Sequence, residues 1–291
     1  MVNVKIITDS VAGIPHDLAE KFNIKIIPAA YIRYKGITYI DGVTLSVKEA
    51  YDLIKKDPDQ FTTAALTPGY ILEIYKEVAQ ASSEILHLCL SSGLTVTHQT
   101  AKMAATLLSE EMPKVQVTVI DTKAVASLQG LVVLALAEAA SKGMDLKSLE
   151  ESFLKVREQT YGIMMLDTLK YVYRTGRMSK LGSTIASLLN IKPINELNSE
   201  GALEMWDRVT NREKGYKKLI DYVKQKSDGK PQHFMVMHAA APEMAEQFIT
   251  MLKEQCKCLS IIVSEYSPVM GYGAGPGCVF VGFHPELNLF K

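Results

Sequence analysis

The sequence predicts an α/β protein in two parts: a mainly parallel sheet with flanking helices, then an α+β part with a mixed sheet. Three observations carry this. Before about residue 160, apolar runs of strand length alternate with stretches of helical spacing, the pattern of parallel βαβ units. Beyond it, hairpin signals such as Asn198-Ser199-Glu200-Gly201 bring antiparallel pairing. The 291 residues are 47% hydrophobic, enough for one large or two moderate cores. We therefore expect two domains, 1–160 and 161–291.

Val4 to Ile7 is the first strand, ending in Thr8-Asp9-Ser10. Pro15 opens a helix through Phe22, because proline is tolerated in a first turn. Ile24 to Ala29 is the second strand, and Tyr31 to Thr44 a strand pair turning at Lys35-Gly36. Ser46 and Glu49 form a capping box. Phe61 to Gly69, FTTAALTPG, reads as a hydroxyl-bearing loop before a helix at Pro68. Val115 to Ile120 is a strand, and helices follow at about Ser127 to Ala140 and Leu146 to Glu158.

In the second half, Ile163 to Leu166 is a strand and Thr168 to Gly182 a short helix with a basic turn. Thr184 to Leu189 is apolar and helical. Pro193 to Leu197 and Ala202 to Trp206 form a hairpin. Then come helix Lys217 to Val223, strand Phe234 to Met237, helix Pro242 to Leu252 and strand Leu259 to Val263. MGYGAGPG, from Met270, reads as a glycine-rich turn into a last strand.

The stretch from Glu84 to Leu108 organises the rest. An apolar strand, Ile85 to Leu90, breaks at Ser91-Ser92-Gly93, and helical spacing resumes from Thr97. Ligands bind at such carboxyl ends of strands in open α/β sheets. The helix that follows aims unpaired N–H groups and its positive dipole end there. Ser91, Ser92, Thr95 and Thr97 add hydroxyls, so the loop suits a phosphate or a carboxylate. It lacks a phosphate-loop lysine, and taken alone its hydroxyls read first as caps of the helix.

Lys+Arg and Asp+Glu are 32 each, and this balance argues against a nucleic-acid partner. The apolar segment Leu131 to Ala140 is too short to span a bilayer, so we expect a buried helix and no integral membrane segment. The chain enters its first strand with no secretory signal. Cys89, Cys256, Cys258 and Cys278 read as reduced and structural, with no zinc spacing, which fits a cytoplasmic protein.

Five motifs together resemble the DegV family. They are Thr8-Asp9-Ser10; Thr62-Thr63-Ala64-Ala65-Leu66; Ser91-Ser92-Gly93-Leu94-Thr95-Val96-Thr97; Arg174-Thr175-Gly176-Arg177 with Leu188-Leu189-Asn190-Ile191-Lys192-Pro193; and Gly273-Ala274-Gly275-Pro276-Gly277. The resemblance spans about residues 4 to 284. It implies a two-domain, DegV-like α/β fold whose first domain is Rossmann-like. It also implies one long-chain fatty acid, such as palmitate, in the cleft between the domains, and no cofactor. Some members present the acyl chain to a fatty acid kinase subunit, which phosphorylates the carboxylate for phospholipid synthesis.

Carried over by position, Thr63 and Thr95 hold the carboxylate, with Thr62 and Ser92 as neighbours that share the role. Ala64, Leu66 and Val96 replace family Ser, Pro and Gly. Gly273 stands where many members have a histidine, and His98 and His238 are the candidates to take its place. Arg174 to Lys180, Arg208, Arg212 and Lys214 are candidate kinase-docking charges. Thr184 to Leu189 and Leu131 to Ala140 are candidate tunnel walls. The rival expectation is a stand-alone, phosphate- or carboxylate-processing enzyme with Asp9 or Asp121 as acid/base.

Overall fold

Short apolar runs, each ended by polar residues, set the strands of the first half. In the computed structural model, which describes residues 4–178 and 191–290, β1 (Lys5–Asp9) leads through a 3₁₀ turn to α1 (His16–Lys21) and β2 (Ile24–Ile27). The pair β3 (Tyr31–Tyr34) and β4 (Ile37–Ile40) follows. Ser46 starts α2 (Val47–Lys56) with the expected capping box: its side chain accepts from Glu49 N–H, and the Glu49 carboxylate accepts from Ser46 N–H. Then come β5 (Phe61–Ala64), α3 (Pro68–Ala79), β6 (Glu84–Cys89), α4 (Thr97–Glu111), β7 (Gln116–Asp121), α5 (Ala126–Ser141) and α6 (Leu146–Gln159).

The second half runs β8 (Tyr161–Met165), α7 (Lys170–Thr175), β9 (Lys192–Leu197), β10 (Leu203–Val209), α8 (Arg212–Ser227), β11 (Gln232–His238), α9 (Pro242–Gln255), β12 (Cys258–Glu265), α10 (Pro268–Ala274) and β13 (Val279–Pro285). The segment Thr184 to Leu189 lies outside the described residues.

The described strands form three sheets. The first, ordered β2-β1-β6-β7, is parallel throughout, as the alternation predicts. The second, β10-β9-β8-β13-β11-β12, is mixed: only β11 and β12 pair in parallel. The third, β4-β3-β5, is small and antiparallel. Two expectations are corrected here. FTTAALTPG is not all loop, because Phe61–Ala64 pairs with Tyr31–Tyr34. MGYGAGPG is not a turn, because most of it belongs to α10, where Gly271 packs on the Tyr51 ring.

Side-chain alternation buries both faces of the parallel sheet. On β6, Leu86 and Leu88 face the core built with α5 and α6, while Ile85 and Cys89 face the one built with α3 and α4. Helix α5 is apolar on nearly every side, with Glu138 and Ser141 exposed near its end, as a helix buried over most of its surface must be. Its Val132, Val133 and Leu136 join the core of the parallel sheet. Its Leu128 and Leu131 join Met164, Met235 and Phe280 of the mixed sheet. The helix is thus a shared layer between the two sheets. No described helix is long and apolar enough to cross a membrane.

The contact between α5 and β13 leaves no room for a methyl group. A Cβ at Gly282 would lie 2.7 Å from the backbone carbon of Ser127. We expect Gly282→Ala to force α5 off the sheet and cost about 1–3 kcal/mol, read as a lower urea midpoint.

Candidate functional site

A cavity of about 490 Å³ opens at the carboxyl ends of β1 and β6. Its lining comes from both sides of Tyr161: Ala29, Leu90 and Thr95 from one, Met164, Val172 and Leu203 from the other. The wall is mainly apolar, and among the described lining residues Arg177 carries the one charge. Such a volume with a few placed polar groups is the ordinary form of a small-molecule site.

The walls are pinned by specific bonds. Asp41 is buried and accepts from Ser10 Oγ and, at 2.9 Å, from Val269 N–H, which holds the first turn of α10. Burial raises the Asp41 pKa, and these bonds offset part of the rise. Tyr272, also on α10, stacks on Phe61 at 5.6 Å between ring centroids and donates its hydroxyl to Phe61 O at 3.0 Å. Arg174, on α7, pairs with Asp59 at 2.6 Å. Both helices are thereby tied to the segment that carries Thr63.

The loop after β6 is fixed on two sides. Asp9 is fully buried at the end of β1. It accepts from Val11 N–H at 3.2 Å, Leu90 N–H at 2.8 Å and Gln129 Nε2 of α5 at 3.1 Å. On the other side, Ser91 donates to Gly201 O at 2.8 Å. There the β9–β10 turn packs so closely that a Cβ at Gly93 would lie 2.7 Å from the Gly201 backbone. Asp121 accepts from Ser92 N–H at 3.1 Å and Lys123 N–H at 3.0 Å. Lys123 Nζ reaches Asp121, Ser92 Oγ and Glu200 O. Burial pulls the Asp121 pKa up, but the bonds from Ser92 and Lys123 outweigh it and hold the group below its usual value.

These bonds sort the sequence-predicted residues. Thr63, Ser92 and Thr95 line the cavity. Thr62 does not: it is exposed, on the opposite face of β5 from Thr63. Ser91 is spent on the β9–β10 turn, and Thr97 is buried with its hydroxyl 3.1 Å from that of Thr95. The hydroxyls do not cap α4, since its N-cap is Val96, with no side-chain cap bond. Val96 sits at φ −91°, so replacing glycine there costs no backbone strain. Ala64 lines the cavity, and Leu66 is core.

Gly273 is on the wall with open space where a side chain would stand. Neither His98 nor His238 is among the described lining residues, and burial holds the His238 pKa down. Leu131 to Ala140 contributes no described lining residue, because α5 is spent as the layer between sheets. Asp9 and Asp121 do not line the cavity either.

The basic candidates divide. Arg177 lies on the cavity wall, its Nε 3.4 Å from Leu94 O. Arg212 and Lys192 share Asp167. Arg208 and Lys214 are exposed and make no ion pair among the described residues. Lys180 lies outside the described residues. Sequence reading missed Tyr272 and Asp41, although Ser267-Pro268 marks a helix start that would have placed the former. All four cysteines are free thiols, and among the described residues no His/Cys/Asp/Glu group could hold a metal.

Fold and cavity define an α/β protein with a mainly apolar cavity walled by both halves of the chain. The family model described as "Uncharacterised protein, DegV family" matches residues 3–286, and the chain belongs to the DegV family. A DegV domain-containing protein of Streptomyces coelicolor is 30% identical over 282 residues, 96% of this chain and 97% of that one. A structure described as showing fatty acid binding of a DegV family protein from Thermus thermophilus superposes with a TM-score of 0.88 at 23% identity, covering 98% of this chain and 100% of that one. DegV of Bacillus subtilis, described as a fatty acid binding protein, gives 0.86 at 23%, covering 98% and 100%.

Burial holds the Asp9 pKa up at about 6. Between pH about 4 and about 6 the folded chain therefore binds more protons than the unfolded chain, and stability falls as pH rises through that window. Asp9→Asn removes this slope and sets an amide N–H against donors. We expect a loss of about 1–3 kcal/mol at neutral pH and a flatter stability profile across the window, measured by urea unfolding.

Proposed function

We propose that the chain binds one long-chain fatty acid in this cavity, with the carboxylate held by the hydroxyls of Thr63 and Thr95. The observation that carries the reading is an apolar cavity whose wall bears Thr63, Ser92, Thr95 and a single cation, Arg177. Ser92 supports the carboxylate from its place beside Lys123, and Thr62 stands outside the contact. Domains 1–160 and 161–291 flank the cleft. The fatty-acid binding stated for the Thermus and Bacillus relatives supports the same ligand class.

The energetics suit a long chain. Burying roughly fifteen methylenes at about 0.8 kcal/mol each sets an upper limit on the order of 12 kcal/mol, before the cost of association. A charge-assisted hydrogen bond adds about 1.5–3 kcal/mol. The tail supplies most of the affinity and the hydroxyls fix which end points where. The carrier reading is favoured over catalysis by this chain alone because Asp9 and Asp121 are committed to backbone and side-chain donors. Presentation of the carboxylate to a fatty acid kinase extends the same reading, with Arg208 and Lys214 as docking charges.

Thr63→Val combined with Thr95→Val should weaken palmitate binding about ten- to a hundredfold in calorimetric titration, with little change in unfolding midpoint. Unchanged affinity would contradict the assignment. In a pull-down with the kinase subunit, Arg208→Glu with Lys214→Glu should reduce capture, and added salt should reduce wild-type capture.

A further inference from the structure

The proposed head-group end of the cavity has an acid at its back. Asp121 lies one hydrogen bond behind Ser92: it accepts from Ser92 N–H at 3.1 Å, and Ser92 lines the cavity. The Asp121 side chain is only 13% exposed, so water and salt screen its charge poorly. Left uncancelled, that charge would oppose a second carboxylate at Ser92 and Thr95. The Ser92 side chain adds to the difficulty, because it also bonds Asp121. A hydroxyl has one proton, and what Asp121 takes is lost to a ligand.

Lys123 meets both needs. Its Nζ lies 3.2 Å from Asp121 Oδ2 and donates to Ser92 Oγ at 3.1 Å and to Glu200 O at 3.3 Å. An ammonium has three donors, so these partners use them all. The pairing cancels the acid, and a hydroxyl that accepts from an ammonium is itself a stronger donor. The lysine is held in place for this. Lys123 and Ala126 have φ of 49° and 52°, a left-handed backbone that residues with a Cβ adopt rarely. Arg157 of α6 fixes that backbone by donating to Thr122 O at 3.0 Å, Lys123 O at 2.9 Å and Thr160 O at 3.3 Å. Strain of this kind gathers at functional positions.

We propose that Lys123 is a positioning residue for the ligand's head group: it cancels Asp121 and frees the Ser92 hydroxyl, so that the cavity takes an ionised acid in preference to the alcohol of the same chain. The inference rests on the fatty-acid reading above and adds the residue that lets the site select an anion. Arg177 supplies the charge on the described wall itself. Lys123, which is not among the described lining residues, removes the charge that opposes it.

Displacement of a bound fluorescent fatty acid by palmitate and by hexadecanol, measured on the full chain, tests this. Lys123→Met should weaken palmitate on the order of tenfold and leave hexadecanol within about twofold. Adding Asp121→Asn should restore palmitate, since the amide oxygen still accepts from both backbone N–H groups and no bare charge remains. Asp121→Asn alone leaves the ammonium uncancelled and should tighten palmitate about threefold. This variant decides the matter even if Lys123→Met fails to fold. Equal losses of palmitate and hexadecanol in Lys123→Met mark a merely structural lysine and overturn the proposal. So does a double variant that stays weak, or an Asp121→Asn variant no tighter than wild type. A wild type that binds neither ligand overturns the fatty-acid reading and this inference with it. A Lys123→Met variant that binds palmitate as well as a binding-competent wild type overturns this inference alone.

Discussion

Helix α5 is the constraint on which the rest depends. Apart from Ser127, Gln129 and the exposed Glu138 and Ser141 near its end, it is apolar, so it is stable only where both sides are covered. The parallel sheet covers one side and the mixed sheet the other. Gln129 then carries the registration inward by donating to Asp9, which also accepts from Leu90 N–H. One buried carboxylate therefore fixes the ends of β1 and β6 to the central helix. These are the strand ends that open on the cavity. A buried, fully bonded acid is costly to disturb, because its partners lose their acceptor together.

The cavity wall is assembled from short pieces rather than from one rigid element. Helices α7 and α10 are each under two turns and would not be stable alone. They are held by Arg174–Asp59, Asp41–Val269 and the Tyr272–Phe61 stack. The β9–β10 turn closes on the Ser91 loop from the other side. Apolar area gives such a site its affinity, and a few hydroxyls give it direction. Division of labour of this kind suits a ligand with one charged end and a long apolar body.

Much of this was legible in the sequence, and the misses have physical causes. The alternation of apolar runs gave the parallel sheet, and the Asn198–Gly201 turn gave the β9–β10 hairpin, because both signals are local. Strand β5 reads as loop in the sequence because it is four residues long and pairs with β3, far back in the chain. Helix α10 reads as a turn because its glycines suggest freedom, whereas Gly271 is glycine to fit against Tyr51. The motif loops supply Thr63, Ser92 and Thr95 to the cavity wall. They could not separate Thr63 from Thr62, since that depends on which face of β5 meets the cavity. Nor could they show Ser91 leaving the site for a turn more than a hundred residues away.

The most direct test of the central claim is native mass spectrometry of the purified chain, followed by denaturing extraction and lipid analysis. The account predicts one bound fatty acid per chain, of about sixteen to eighteen carbons, released intact on denaturation. A chain that is empty as purified and also fails to take up added palmitate would contradict it.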